Sequence, residues 1–290
     1  GKRTVLPERR AETDQVVLEF MRLSLAISPC PNDTFMFDAM LNGRIDTEGL
    51  EFDVVFKDIE ELNAGLCAAE GAGPQISKAS YAVLPQAAGR YGALRSGSAL
   101  GRGNGPLLVA RDAAAASDDA SLRVAVPGMH TTANLLMERL FPHLSRKRAC
   151  LFSDIPGIVG RGECDAGVLI HEGRFVYRRY GLVLLADLGA EWERVTGLPL
   201  PLGVIAADRS LPSAVIRTVD RVLRRSIAYA FAHPAESLPF VREHAQEMDE
   251  RVIRDHIGLF VNDYSLDIGR VGTEAVERLL GMPGSALFLD

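Results

Sequence analysis

From Arg22 to Ser28 the chain reads RLSLAIS, polar and apolar in alternation, which predicts a strand. FMFDAMLNGRI then carries apolar residues at helical spacing until Gly43 stops the run. Between them lies SPCPNDTF, Ser28 to Phe35, a polar turn with two prolines. The device returns in SLRVAVPGMHTTANLLMERLF: a strand from Leu122 to Val126, a turn at Pro127-Gly128, and a helix from Thr132 to Leu140.

Other segments follow the same alternation. LEFDVVFKDIEELNAGL reads as a strand and a helix capped by Asp58, and KASYAVLP as a further strand or mixed segment. Ala166 to Ile170 is a short apolar strand with His171 and Glu172 at its carboxyl end. Beyond Pro212 the pattern turns helical, with AVIRTVDRVLRRSIAYAF at a 3.6-residue period and Pro234 opening another helix. Strands alternating with helices predict an α/β fold. PLLVAR near residue 107 and LPLPLGVIAADR near residue 203 are similar apolar strands bracketing a middle segment of domain size. The expectation is a lobe inserted into another: residues 21–106 and 204–290 form lobe I, residues 107–203 form lobe II, and a cleft lies between them. Residues 1–20 are set aside as an N-terminal extension.

Composition narrows the function. With 47% apolar residues and 290 positions, the chain has enough material for a large core. A net charge of -6 disfavours nucleic acid and anionic membrane as partners. No apolar run is long enough to span a bilayer, and the charged opening stretch lacks a signal-peptide core, so the expected location is the cytoplasm. The clusters Arg146-Lys147-Arg148 and Arg224-Arg225 read as solvated helix faces. The four cysteines lack the paired spacing of a zinc site, and no HExxH, GxSxG or GxxxxGK[ST] motif occurs. The glycine-rich SGSALGRGNGP matches no phosphate-binding pattern.

The candidate chemistry sits at the ends of strands. Asn32, Asp33 and Thr34 at the first helix start, and Thr131 and Thr132 at the second, are helix-cap formers and potential hydrogen-bonders to a ligand. His171, at a strand end, has the proton affinity for base work near neutrality, although many such histidines are structural. Cys30 has no neighbour in sequence to activate it and reads as a packed small residue.

Taken in order, SPCPNDTF, KASYA, SGSALGRGNGP, VAVPGMHTTA, DAGVLIHEGRFVY, DLGAEWERVTGLPLPLG and VNDYSLDIG closely resemble the 1,4-dihydroxy-6-naphthoate synthases of the futalosine route to menaquinone. The resemblance runs from Met21 essentially to the end. It implies a two-lobed fold like the type II periplasmic solute-binding proteins, with two crossover strands. It also implies a small-molecule carboxylate substrate, cyclic dehypoxanthinylfutalosine, cleaved with neither metal nor other cofactor. The family's proton acceptor falls on His171, and its substrate-binding positions fall on Lys78, Ala79, Ser80, Thr132 and Ala133. Asn32 and Thr34 join them on physical grounds. The chain departs from many relatives in reading GAGPQIS before KASYA, where an acidic residue is expected. A homodimer is left open, and the rival readings are a non-catalytic solute-binding protein and a chorismate dehydratase.

Overall fold

The computed structural model describes residues 21–68, 73–113, 120–245 and 249–289, so the opening extension lies outside the described residues. The first strands are β1 (Met21–Ile27), β2 (Leu50–Phe56), β3 (Ile76–Ser80), β4 (Tyr91–Ala93) and β5 (Ala99–Gly101). Five more follow: β6 (Leu107–Ala110), β7 (Val124–Val126), β8 (Lys147–Ala149), β9 (Ala166–Leu169) and β10 (Val183–Asp187). The last is β11 (Leu200–Asp208).

These strands make two sheets. One has the order β2-β1-β3-β11-β4, with β5 also paired to β11; the other has the order β10-β6-β9-β7-β8. β1 runs parallel to β2 and β3, whereas β11 is antiparallel to β3, β4 and β5. In the second sheet β7 is parallel to β8 and β9, and β6 is antiparallel to β9 and β10. The chain therefore passes between the sheets twice, over residues 102–106 and 188–199. The passages touch where Gly105 lies against Gly189, so closely that a Cβ on either would strike the other's backbone.

The Pro31–Leu41 helix connects β1 to β2 and is buried almost all round, from Pro31 to Met40. Such a helix belongs inside a protein. It packs against the Ser213–Ala232, Pro234–His244 and Glu250–Phe260 helices. It also starts earlier than its apolar period indicates, because Pro31 takes the first helical position, where its fixed φ and missing N–H cost nothing. Cys30 is the N-cap and makes no side-chain cap, so Asn32, Asp33 and Thr34 lie inside the first turn. The Thr132–Leu140 helix has the expected bounds, with Thr131 as its N-cap. The cluster at Arg146 lies on the edge strand β8 and not on a helix: parallel pairing with β7 claims Lys147 to Ala149.

The largest apolar cluster is shared by the sheets, joining Ala79, Leu100 and Val204 of the first to Leu108, Val124 and Val168 of the second. Separate clusters cover the far faces, one beneath the Ser213–Ala232 helix and one beneath the Ile155–Gly160 helix. Among the described residues no helix is long and apolar enough to cross a membrane.

Candidate active site

Strand ends and helix starts from both sheets surround a cavity with about 580 Å³ of empty space. Asn32, Ile59, Lys78, Ser80, Leu202, Gly203 and Phe260 line it from one side. Thr131, Thr132, Ala133, Ile170, His171 and Arg174 line it from the other, and Asn104 to Pro106 close it along the first passage.

The two-residue period of β3 decides which of its residues face the cavity. Lys78 and Ser80 line it, whereas Ala79 points the opposite way into the shared apolar cluster. The Ala79 side chain is therefore turned away from the cavity. Thr34 does not line the cavity either, and its buried hydroxyl donates to Cys30 O at 3.1 Å inside its own helix. Asn32, Thr132 and Ala133 are on the wall. Thr132, however, spends its hydroxyl hydrogen on Leu202 O at 2.8 Å. Ser80 Oγ accepts from Asn63 Nδ2 at 3.0 Å, and Ser80 N donates to Asn63 Oδ1 at 2.8 Å.

Beneath the cavity Lys78 Nζ lies 2.7 Å from Asp33 Oδ1, with side chains 4% and 0% exposed. Asp33 further accepts from Ser28 Oγ at 2.6 Å, Ser28 N at 3.2 Å and Asn32 Nδ2 at 3.0 Å. A buried pair survives desolvation when its lone pairs are filled in this way. Gly203, opposite Ser80 on β11, makes room for the lysine, since a Cβ there would come within 2.9 Å of Lys78 Cε. The first turn is thus less a helix cap than the seat of an ion pair.

His171 follows β9 in the left-handed region, at φ 50°. Only one other non-glycine described residue, Glu48, has a positive φ, and such conformations concentrate at functional sites. Its Nε2 is buried and has no hydrogen-bond partner among the described residues. Phe152 meets the ring edge-on at 4.9 Å between centroids, and the His256 ring lies nearly parallel to it at 5.8 Å. Burial pulls the imidazole pKa down to about 4; the nearby charge of Asp33 opposes that shift and Lys78 adds to it. Near neutrality the ring carries no charge and has a lone pair to offer. Cys30 is pushed the other way: burial, then the charges of Glu172 and Asp33, raise its thiol well above the usual range.

Two residues important to this geometry escaped the sequence reading. His256 is fully buried, and its Nε2 lies 3.2 Å from Asn32 Oδ1. Because Asn32 Nδ2 already donates to Asp33, His256 Nε2–H is the donor, which leaves Nδ1 facing Glu172 Oε2 at 4.0 Å. The signal was in RVIRDHIGLF, where His256 shares the buried face of its helix with Val252, Ile253 and Phe260. Glu60, in the Ile59–Leu66 helix beside the first sheet, is the second. It lies 2.7 Å from His130 Nδ1 and accepts from Met129 N at 3.1 Å and His130 N at 3.2 Å, so it holds the turn before the Thr132–Leu140 helix. Together with Thr132 on Leu202 O and Arg179 on Asp249 at 3.3 Å, it ties the two sides of the cavity together. Among the described residues no group of three or more His, Cys, Asp or Glu side chains is placed to hold a metal ion.

Solved structures with this architecture set the fold in context. Protein AF1704 from Archaeoglobus fulgidus superposes with a TM-score of 0.83 and 34% identity, covering 89% of this chain and 95% of its own. The Candida albicans CA3427 gene product, described as having the generic periplasmic binding protein fold, superposes at 0.64 with 14% identity over 92% and 91%. The fold is therefore the two-sheet, periplasmic-binding-protein-like one. A 1,4-dihydroxy-6-naphthoate synthase of Thermus thermophilus is 50% identical over 257 residues, 89% of this chain and 92% of that protein. The Streptomyces coelicolor enzyme of the same name is 44% identical over 267 residues, with 89% and 91% covered. A family described as menaquinone biosynthesis matches residues 23–283, a span that takes in nearly every element around the cavity, and the chain belongs to that family, beside the 1,4-dihydroxy-6-naphthoate synthases.

Proposed function

We propose that this chain is a cytoplasmic carbon–carbon lyase that splits cyclic dehypoxanthinylfutalosine into 1,4-dihydroxy-6-naphthoate and a sugar-derived fragment, with His171 as general base. One observation carries the reading: an uncharged imidazole whose Nε2 is unpartnered on the wall of a cavity built from both sheets. A base must be unprotonated and within reach of its proton, and the site meets the first condition before substrate arrives.

In this reading residues 21–106 with 204–290, and residues 107–203, are the two jaws. Substrate enters while they are apart, and Glu60–His130 and Arg179–Asp249 close over it. His171 takes a proton from the sugar-derived part, the carbon–carbon bond breaks, and aromatisation of the naphthalene product drives the step. Lys78 and Asp33 hold their opposite charges fixed beneath the reacting atoms.

The test is incubation with cyclic dehypoxanthinylfutalosine and detection of the dihydroxynaphthoate by mass. His171→Ala should lower kcat by about 10²- to 10⁴-fold with KM little changed, the contribution of a positioned base. A near-normal rate in that variant overturns the assignment. The low-identity structural neighbours include binding proteins, such as an alkanesulfonate-binding protein from Xanthomonas axonopodis, which keeps a purely binding role as the second reading. Tight binding without product would favour it, and turnover of chorismate instead would move the chain to the dehydratase reaction.

A further inference from the structure

We propose that Arg174 is the carboxylate anchor of the cavity, a role that rests on the reading above of an aromatic carboxylate as substrate. Two cations, Lys78 and Arg174, and no carboxylate side chain line the cavity among the described residues. An anion entering it is drawn to whichever cation is less compensated. Lys78 is not that group, because Asp33 lies 2.7 Å from its Nζ and both are buried.

Arg174 is differently placed. Its closest carboxylate, on Asp187, stands 4.0 Å from Nη2. The Asp187 carboxylate is itself partly committed, its Oδ1 accepting from Gly189 N and Ala190 N at 3.0 Å each. The guanidinium gives one donor to Gly105 O, and a planar fork with five N–H groups keeps the rest for a ligand. Its side chain is only 13% exposed, so its charge is shielded from water. An ion pair formed there is strengthened by the low local dielectric. Burial already lowers the arginine's proton affinity, the mark of a charge short of partners.

The two threonine hydroxyls on the wall do not compete. Thr131 donates to Gly128 O at 2.8 Å and Thr132 donates to Leu202 O at 2.8 Å. The position also suits the chemistry: Arg174 follows His171 by three residues, on the short Gly173–Val176 helix. A carboxylate held there sits beside the base, with Ile59, Ile170, Leu202 and Phe260 on the wall for the ring system.

The test uses two stable probes of one shape, 2-naphthoate and 2-naphthamide, with binding measured by titration calorimetry. The unmodified protein should prefer the acid by about tenfold or more, as expected of a charge-assisted fork. Arg174→Met should lose that preference while binding the amide within about twofold of the original affinity. Arg174→Gln, which keeps a donor for Gly105 O, should behave the same way and decides the matter if the methionine variant fails to fold. The anchor is overturned if either folded variant retains the preference, if both probes weaken equally, or if the preference disappears only in Lys78→Met. Turnover of cyclic dehypoxanthinylfutalosine by the unmodified protein is measured alongside. Absent turnover with the predicted loss of preference leaves the anchor standing and removes the lyase reading.

Discussion

The two polar turns that join strand to helix, at residues 28–34 and 127–134, are alike in sequence and differ in what holds them. The first is secured from within its own half: Asp33 folds back onto Ser28 and pairs with Lys78 of the same sheet. The second is capped locally by Thr131, which accepts from Asn134 N at 3.2 Å, but its backbone hangs on Glu60 from across the cavity. Gly128 permits this grip, at φ 147°, because a Cβ there would collide with the Glu60 carboxylate. One turn is therefore a fixed foundation and the other a docking surface. A motif names the local geometry; its job depends on which half supplies the partner.

Breaking the foundation should have the largest effect. Asp33→Asn leaves the Lys78 ammonium buried without a counter-charge, at an expected cost of about 3–5 kcal/mol in urea unfolding. Adding Lys78→Met should recover much of that loss. If the single variant costs under about 1 kcal/mol, the pair is not the foundation described.

Acid probes the place where the turns face each other. His171 has its pKa lowered to about 4 and His256 well below the ordinary imidazole range, both chiefly by burial. The unfolded chain takes up these protons near pH 6.5 while the folded chain resists, so it binds more protons and stability falls as pH falls. For His171 the loss should begin near pH 6.5 and level off near pH 4, reaching roughly 3 kcal/mol. Unfolding midpoints measured through that window should drop, and His171→Phe should flatten the drop. A midpoint unchanged from pH 7 to 4.5 would contradict buried neutral rings.

Loosening the docked turn comes next. Glu60→Gln keeps the shape and removes the charge, so stability should fall by only about 1 kcal/mol because the pair is partly exposed. KM should rise more than kcat falls, since closure is weakened and the base is untouched; equal changes in both would argue against docking. The smallest effect belongs to the cap itself, Thr131→Ala, at about 1 kcal/mol or less in thermal unfolding.

Much of this was legible in the residues. Alternation in RLSLAIS, the helix from Thr132 to Leu140 and the strand ending before His171 all follow local rules, and the structure keeps them within a residue or two. The Pro31–Leu41 helix was harder, because a helix buried on every side has no apolar stripe to mark its ends. Arg146-Lys147-Arg148 reads as a charged helix face, since edge pairing with β7 is decided by chain more than 20 residues earlier in sequence. Within the site, residue types were visible but directions were not. Ala79 and Thr34 sit beside genuine wall residues, and only the pleat of β3 and the turn of the helix send them elsewhere. His256 and Glu60 were invisible for the same reason: each acts on a partner 69 or more positions away, where no spacing rule reaches.

The glycine-on-glycine crossing has its own consequence. Because Gly105 also forms part of the cavity wall, the spot where the two passages touch is also a piece of the pocket. A methyl group inserted at Gly189, outside the cavity, would shove that wall inward, so the protein's choice of guest is written partly into the stitching between its halves.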